Sequence, residues 1–291
     1  MAGLRDIRKR INSVKSTRKI TKAMKMVAAA KLRGAEERLK AGRPYAQMLD
    51  DVIANLYRRT DPSGFPLLAG REEIKTVELL VVTSDRGLCG AFNSNILRHA
   101  WLTRKKLEAE GKQVNVSIIG RKSLDFFKRR GVSARQSYLN ILGSHNYGLA
   151  MRIGKELVDA FNNNVADEIY LVYNEFVTAI SQRIIDRRLI PVQLPAEPRP
   201  TGLDAVIDYR YEPERDALLA ELLPLQVNYQ LYRAFLESFA AEIGARMSAM
   251  DSATTNSEEM IDRLTLQFNR ARQAAITKEL MDIVNGANAV T

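Results

Sequence analysis

From Leu225 to Ala275 the apolar residues keep a period of seven, and no other feature so narrows what the chain can fold into. Leu225, Tyr229, Tyr232, Leu236, Phe239, Ile243, Met247, Met250, Thr254, Ser257, Ile261, Leu264, Phe268, Ala271 and Ala275 follow one another in steps of four and three. That spacing holds one seam against a partner helix in a left-handed coiled coil. The single break, two successive fours at Phe239, Ile243 and Met247, has the form of a stutter, which locally relaxes a supercoil. From Leu225 to Asn288 there is no proline and little glycine, so a helix over this range would reach roughly 95 Å at about 1.5 Å per residue. A compact domain of this mass has no surface that long. Each buried Leu or Ile contributes only about 1.5–3 kcal/mol and needs a continuous partner, so a second long helix is required.

The opening segment supplies it. Ile7, Ile11 and Val14, then Ile20, Met24 and Val27, then Leu32, Ala35 and Leu39 recur at helical spacing among helix-forming Ala and Lys. Pro44 is expected to kink this helix, after which Met48, Leu49, Val52, Ile53 and Leu56 resume the apolar face until the turn residues Asp61 to Gly64. Pairing the two ends as an antiparallel coiled coil over 1–60 and 210–291 makes everything between them an insertion. That insertion alternates strands and helices: Val77–Val82, Asn93–Glu110, Val114–Ile119, Ser123–Arg130, His145–Phe161, Glu168–Val172 and Thr178–Leu189. The pattern predicts a parallel, doubly wound, Rossmann-like α/β domain over 74–192, with a proline-rich linker over 193–209.

Charge is concentrated at the start. Residues 1–43 hold fourteen Lys/Arg against Asp6, Glu36 and Glu37, a balance of +11 in a chain whose formal charge is +10. The partner of this segment should be acidic. Nucleic acid is the alternative in another class, although residues 1–44 contain no aromatic side chain for stacking on single strands. The apolar runs are strand-length, far short of the roughly 20 residues of a membrane span, and the N-terminus enters a charged periodic pattern with no apolar leader. The sequence reads as a soluble cytoplasmic protein whose membrane attachment, if any, goes through partners. One cysteine, Cys89, and two histidines, His99 and His145, provide neither a disulfide framework nor a zinc ligand set.

No catalytic constellation emerges, and no cofactor is expected. Ser84 to Asn93 follows the first strand and opens a helix, where a dinucleotide fold cradles pyrophosphate, but Gly87 and Gly90 are only two glycines of the three that G-x-G-x-x-G requires. A tight strand-to-helix turn is the plainer reading, with a nucleotide-binding enzyme on this sheet as the third possibility. Gly120-Arg121-Lys122-Ser123 resembles the tail of a P-loop, but Asn115 stands where its first glycine should be. Asp159, Asp167 and Glu168 read as solvated charges at a helix-to-strand connection.

Three stretches carry a resemblance that spans the chain in order: Ile7 to Ala29, Ser84 to Gly90, and Ala245 to Met250 with Asn269 to Glu279. They are similar to the gamma subunits of F-type ATP synthases. The resemblance implies a rotor shaft inside a ring of alternating alpha and beta subunits, with a foot on the epsilon subunit and the membrane c-ring. It implies rotation that couples proton flow to ATP synthesis, without chemistry on this chain, at the cytoplasmic face of a bacterial inner membrane. It places Met24, Arg272, Gln273, Thr277 and Glu279 at the contact that passes torque to beta, Arg246 on the shaft surface, and Tyr209 and Glu212 toward the c-ring. Chloroplast-type members carry an inserted segment with a cysteine pair; this chain has neither, so thiol switching is not expected.

Overall fold

The computed structural model describes residues 4–57, 60–144, 146–193 and 214–288. In chain order the elements are α1 (Leu4–Tyr57), α2 (Pro66–Ala69), β1 (Thr76–Val82), α3 (Phe92–Ala109), β2 (Gln113–Ile119), α4 (Arg121–Lys128), β3 (Ser137–Tyr138), α5 (Tyr147–Asn162), β4 (Glu168–Thr178), β5 (Ser181–Ile190) and α6 (Arg215–Asn288). Contacts gather into two compact units, Met1–Ala29 with Arg246–Thr291, and Ala30–Ala245. Long terminal helices and an inserted Rossmann-like sheet are thus both present.

In the unit 30–245 the sheet runs β3-β2-β1-β4-β5. β1 pairs in parallel with β2 and β4, and β2 with β3, whereas β5 pairs antiparallel with β4. The expectation of a wholly parallel sheet is therefore corrected at one edge. Only Ala179 and Ile180 join β4 to β5, and a parallel return needs a crossover of a dozen or more residues. β1 lies at the centre and is buried on both faces, as a strand covered by helices on each side must be.

Two prolines fall inside helices instead of ending them. α6 begins at Arg215 and passes through Pro224, ten residues before the predicted start at Leu225. Proline in a helix interior costs about 3 kcal/mol, but Leu219, Leu223, Val227 and Leu231 are all fully buried at steps of four, and that face offsets the loss. α1 likewise continues through Pro44, where the Tyr229 hydroxyl donates to the Gly42 carbonyl at 2.6 Å and the Tyr45 and Tyr229 rings pack 5.0 Å apart. Ile53 and Leu56 complete this core together with α5 and one face of the sheet.

The connection before β4 also departs from expectation. Asp159 is exposed, but Asp167 and Glu168 are buried. Asp167 accepts the Lys75 and Thr76 amides at 2.9 and 2.8 Å and pairs with Arg71 at 3.3 Å, so it fixes the start of β1. Glu168 binds Arg188 of β5 at 3.1 Å.

Inside the sheet, Glu78 of β1 is fully buried, held by two 2.6 Å bonds from Arg135 and by the Ser117 hydroxyl. Removing one member of such a pair leaves an uncompensated charge. Arg135→Met is expected to lower unfolding free energy by about 3–5 kcal/mol, measured by urea denaturation; a loss below about 1 kcal/mol would show that solvent reaches Glu78.

Candidate functional site

The unit formed by the first turns of α1 and the last turns of α6 is an antiparallel helix pair. Lys25 meets Asp251 at 2.5 Å, Thr21 meets Thr254 at 2.8 Å, and Arg18 approaches Glu258 at 3.8 Å. The residue numbers in each pair add to 275 or 276, so the register is constant. On α6 the seam follows the period of seven: Met250, Thr254, Ser257, Ile261 and Leu264 are buried, and Phe268, Ala271 and Ala275 are half-buried. With that register Leu4 faces about Arg272, and the α6 residues beyond about 275 run past the first described residue of α1.

On α1 the seam differs from the sequence expectation. It runs through Ile11, Val14, Arg18, Thr21, Lys25, Ala28, Leu32 and Ala35, while Ile20 is 60% exposed and Val27 55%. Met48, also read as inward-facing, is exposed. The large apolar side chains attracted the prediction, but its step from Val14 to Ile20 broke the phase. Continuing the alternation of three and four from Ile11 reaches Thr21 and Ala28 directly. The result is a seam of small and polar residues in this unit, flanked by Arg18 and Lys25. Its ion pairs are solvent-accessible, a setting worth about 0–1 kcal/mol each, and they specify register more than they add stability.

Outside the seam lies a surface of two textures. At about 100° per residue, Ile20, Met24 and Val27 fall within about 60° of one another and about a third of a turn from the seam. They form an apolar stripe in which Met24 is half-buried. Around it Arg5, Arg8, Lys9, Arg10, Lys15, Lys19 and Lys22 are exposed. Arg272, Gln273, Thr277 and Glu279 are exposed on α6, where the Thr277 hydroxyl is tied to the Gln273 carbonyl at 3.0 Å. Ile276, Leu280, Ile283 and Val284 are exposed there too. Arg272 and Glu279, seven residues apart, share a face. Met24 is not brought to this group: the register sets it opposite about residue 252, roughly 30 Å along the helix from residue 272 at 1.5 Å per residue. Arg246 is half-buried at the beginning of the α6 segment of this unit. Tyr209 and Glu212 lie outside the described residues.

In the unit 30–245, the turn after β1 uses its own polar groups. The Ser84 amide and hydroxyl bind Asn93 Oδ1 at 3.1 and 3.0 Å, and Asn93 Nδ2 donates to Cys89 Sγ at 3.1 Å. Asp85 accepts the Arg121 and Asn140 amides. A Cβ on Gly120 would lie 2.1 Å from the Thr83 carbonyl oxygen, so two loops meet where a pyrophosphate would sit in a dinucleotide fold. The tight-turn reading fits this geometry. Cys89 and Phe92 pack against Ala241 of α6, so the motif fastens the sheet to the long helix.

A family model described as ATP synthase matches residues 3–290. Proteins named ATP synthase gamma chain from Anaeromyxobacter sp. (strain Fw109-5) and Geotalea uraniireducens are each 47% identical, over 100% of this chain and 100% and 99% of their own. Among solved structures, the Tetrahymena thermophila mitochondrial ATP synthase, central stalk and c-ring, has a chain 26% identical with a TM-score of 0.60, covering 80% of this chain and 99% of that one. A chain of the Euglena gracilis mitochondrial enzyme shares the fold at 20% identity with a TM-score of 0.66, covering 99% and 94%.

The seam assignment has a direct check. Ala28 is 2% exposed, so Ala28→Asp should cost about 3–5 kcal/mol as an unpaired buried charge. Ile20→Asp, outside the seam, should change stability by less than about 0.5 kcal/mol. Thermal melting of the two variants followed by circular dichroism decides; the reverse ranking would restore the Ile20 phase.

Proposed function

The chain belongs to the ATP synthase gamma-chain family and is a non-catalytic rotor subunit of that enzyme, and from this premise we propose how its surfaces share the work of coupling. The observation that carries the reading is a helix face both basic and apolar-striped, standing outside a seam already committed to a partner helix.

In this reading residues 1–60 and 210–291 form the shaft, 74–192 the foot and 193–209 a linker. The shaft turns inside a ring of alternating alpha and beta subunits. Met24 and the group Arg272, Gln273, Thr277 and Glu279 bear on beta as two bands at different heights, with Arg246 on the shaft surface. The foot, with Tyr209 and Glu212, meets the epsilon subunit and the c-ring. Membrane contact is made by those partners at the cytoplasmic face of a bacterial inner membrane. No described helix is long and apolar enough to cross a membrane.

The physical logic is that of a bearing. Rotation requires many weak, interchangeable contacts, because any strong contact becomes a stop. Exposed Lys and Arg attract an acidic collar over a distance of about a Debye length without fixing one orientation, and the exposed apolar side chains exclude water without directional bonds. An asymmetric shaft then presents each catalytic site with a different face in turn, and hydrolysis drives the same cycle backwards. The family assignment replaces the nucleic-acid reading of the basic helix.

Affinity capture of the tagged chain should retain alpha, beta, epsilon and c subunits, identified by mass spectrometry; an assembled, fully coupled synthase without this chain would overturn the assignment. Met24→Lys combined with Val27→Lys should leave assembly intact and reduce ATP-driven proton pumping in inverted vesicles severalfold more than it reduces hydrolysis. Equal losses of both, or no loss, would remove the stripe from the coupling surface.

A further inference from the structure

A cavity of about 280 Å3 opens within the unit 30–245, between α1, β5 and α6. Its working residues are Asp50, Arg187, Arg188, Gln226, Gln230 and Arg233. The space far exceeds what a single water needs. Three guanidinium groups in one concavity call for acceptors, and the acceptors present are incompletely matched to them. Arg233 is held by Glu237 at 2.8 Å and Arg188 by Glu168 at 3.1 Å. Arg187 instead donates to the neutral side-chain amide oxygen Oε1 of Gln230 at 2.7 Å, and among the described residues no carboxylate lies within ion-pair distance of it.

Two atoms at the cavity are left over. Arg188 Nε is a buried donor and Gln226 Oε1 a buried acceptor, each without a hydrogen-bond partner among the described residues. Gln226 is only 3% exposed, and its amide donates to Asp50 Oδ1 at 2.6 Å. Buried polar groups are almost always satisfied, so the cavity asks for a molecule that accepts from the arginines and donates to Gln226 Oε1 and Asp50. A fully ionised oxoanion accepts but cannot donate. A carboxylate beside such an anion repels it, unless a proton lies between them.

We propose that this cavity is a binding site for a protonated oxoanion of the phosphate class, held by Arg187 and Arg188, with a phosphate hydroxyl donated toward Asp50 and Gln226. Phosphate retains a proton near neutral pH and sulfate does not, so the Asp50 side of the cavity selects between two anions of nearly the same size. Burial pushes the Asp50 carboxyl up, against the pull of the Gln226 amide and the Arg233 and Arg187 charges, and a more basic carboxylate is a better acceptor for that proton. The site stands apart from the rotor reading and rests on the cavity alone.

The test is isothermal titration calorimetry on the full chain at about pH 8, well above the carboxylate range, with inorganic phosphate and sulfate as probes at matched ionic strength. Phosphate should bind at millimolar concentrations or below, and sulfate at least about tenfold more weakly. Arg187→Gln should weaken phosphate by about tenfold or more, the scale of a lost charge-assisted hydrogen bond. Asp50→Asn should narrow the preference over sulfate and leave melting temperature unchanged or raised. Should Arg187→Gln fold poorly, Gln230→Leu, which frees the Arg187 guanidinium, serves as the second variant and should alter phosphate affinity with the melt preserved. Absence of phosphate binding, or equal binding of both anions unaffected by Asp50→Asn, overturns the proposal.

Discussion

A long helix is stable only where its apolar face is covered, and the rest of this protein follows from how that cover is provided to α6. Isolated helices gain little from their own hydrogen bonds in water, so each turn needs a neighbour. Between Leu219 and Phe235 the cover is thick: α1, α5 and the sheet close on fully buried leucines and valines. Between Met250 and Leu264 it is a single helix, and the seam contains Thr254 and Ser257 where a stable coiled coil would carry Leu. A thin seam leaves more of the helix surface available to other proteins.

The Rossmann-like sheet shows a fold kept while its usual site is filled. The switch point between β1 and β4 is where ligands bind in open α/β sheets. Here Ser84, Asn93 and Asp85 satisfy one another and the neighbouring amides, and Cys89 and Phe92 are turned onto α6. Fold and function separate in this way in many superfolds. The sheet serves as an anchor, with Glu78 buried against Arg135 and Asp167 capping the start of β1.

Much of this was legible in the residues. The period of seven along α6 set both its helicity and its inward face, and the β-α alternation set the parallel pairing of β1 with β2 and β4, though not the order of the strands. What escaped had physical causes. Thr21 and Ala28 carry no apolar bulk, so a reading that followed size moved to Ile20 and Val27, although phase alone would have held. Pro44 read as a kink and Pro224 fell just outside the predicted helix because a proline's cost is local, while the burial that offsets it comes from distant segments. Asp167 read as solvated because its partners, Arg71 and the Lys75 and Thr76 amides, lie more than ninety residues away. The cavity at Asp50, Arg187 and Gln226 draws on three elements and has no linear signature at all.

The tip of the β4–β5 hairpin meets α6 at a residue with no side chain. A Cβ on Gly244 would lie 2.8 Å from the Ala179 carbonyl oxygen, so the hairpin backbone occupies the space a larger residue would claim. Turning the helix about its own axis by a single residue would drive a neighbouring side chain into that carbonyl. The glycine therefore works as a keyway and the hairpin as its key: at this point α6 can neither turn nor slide without a steric clash between its side chains and the hairpin backbone.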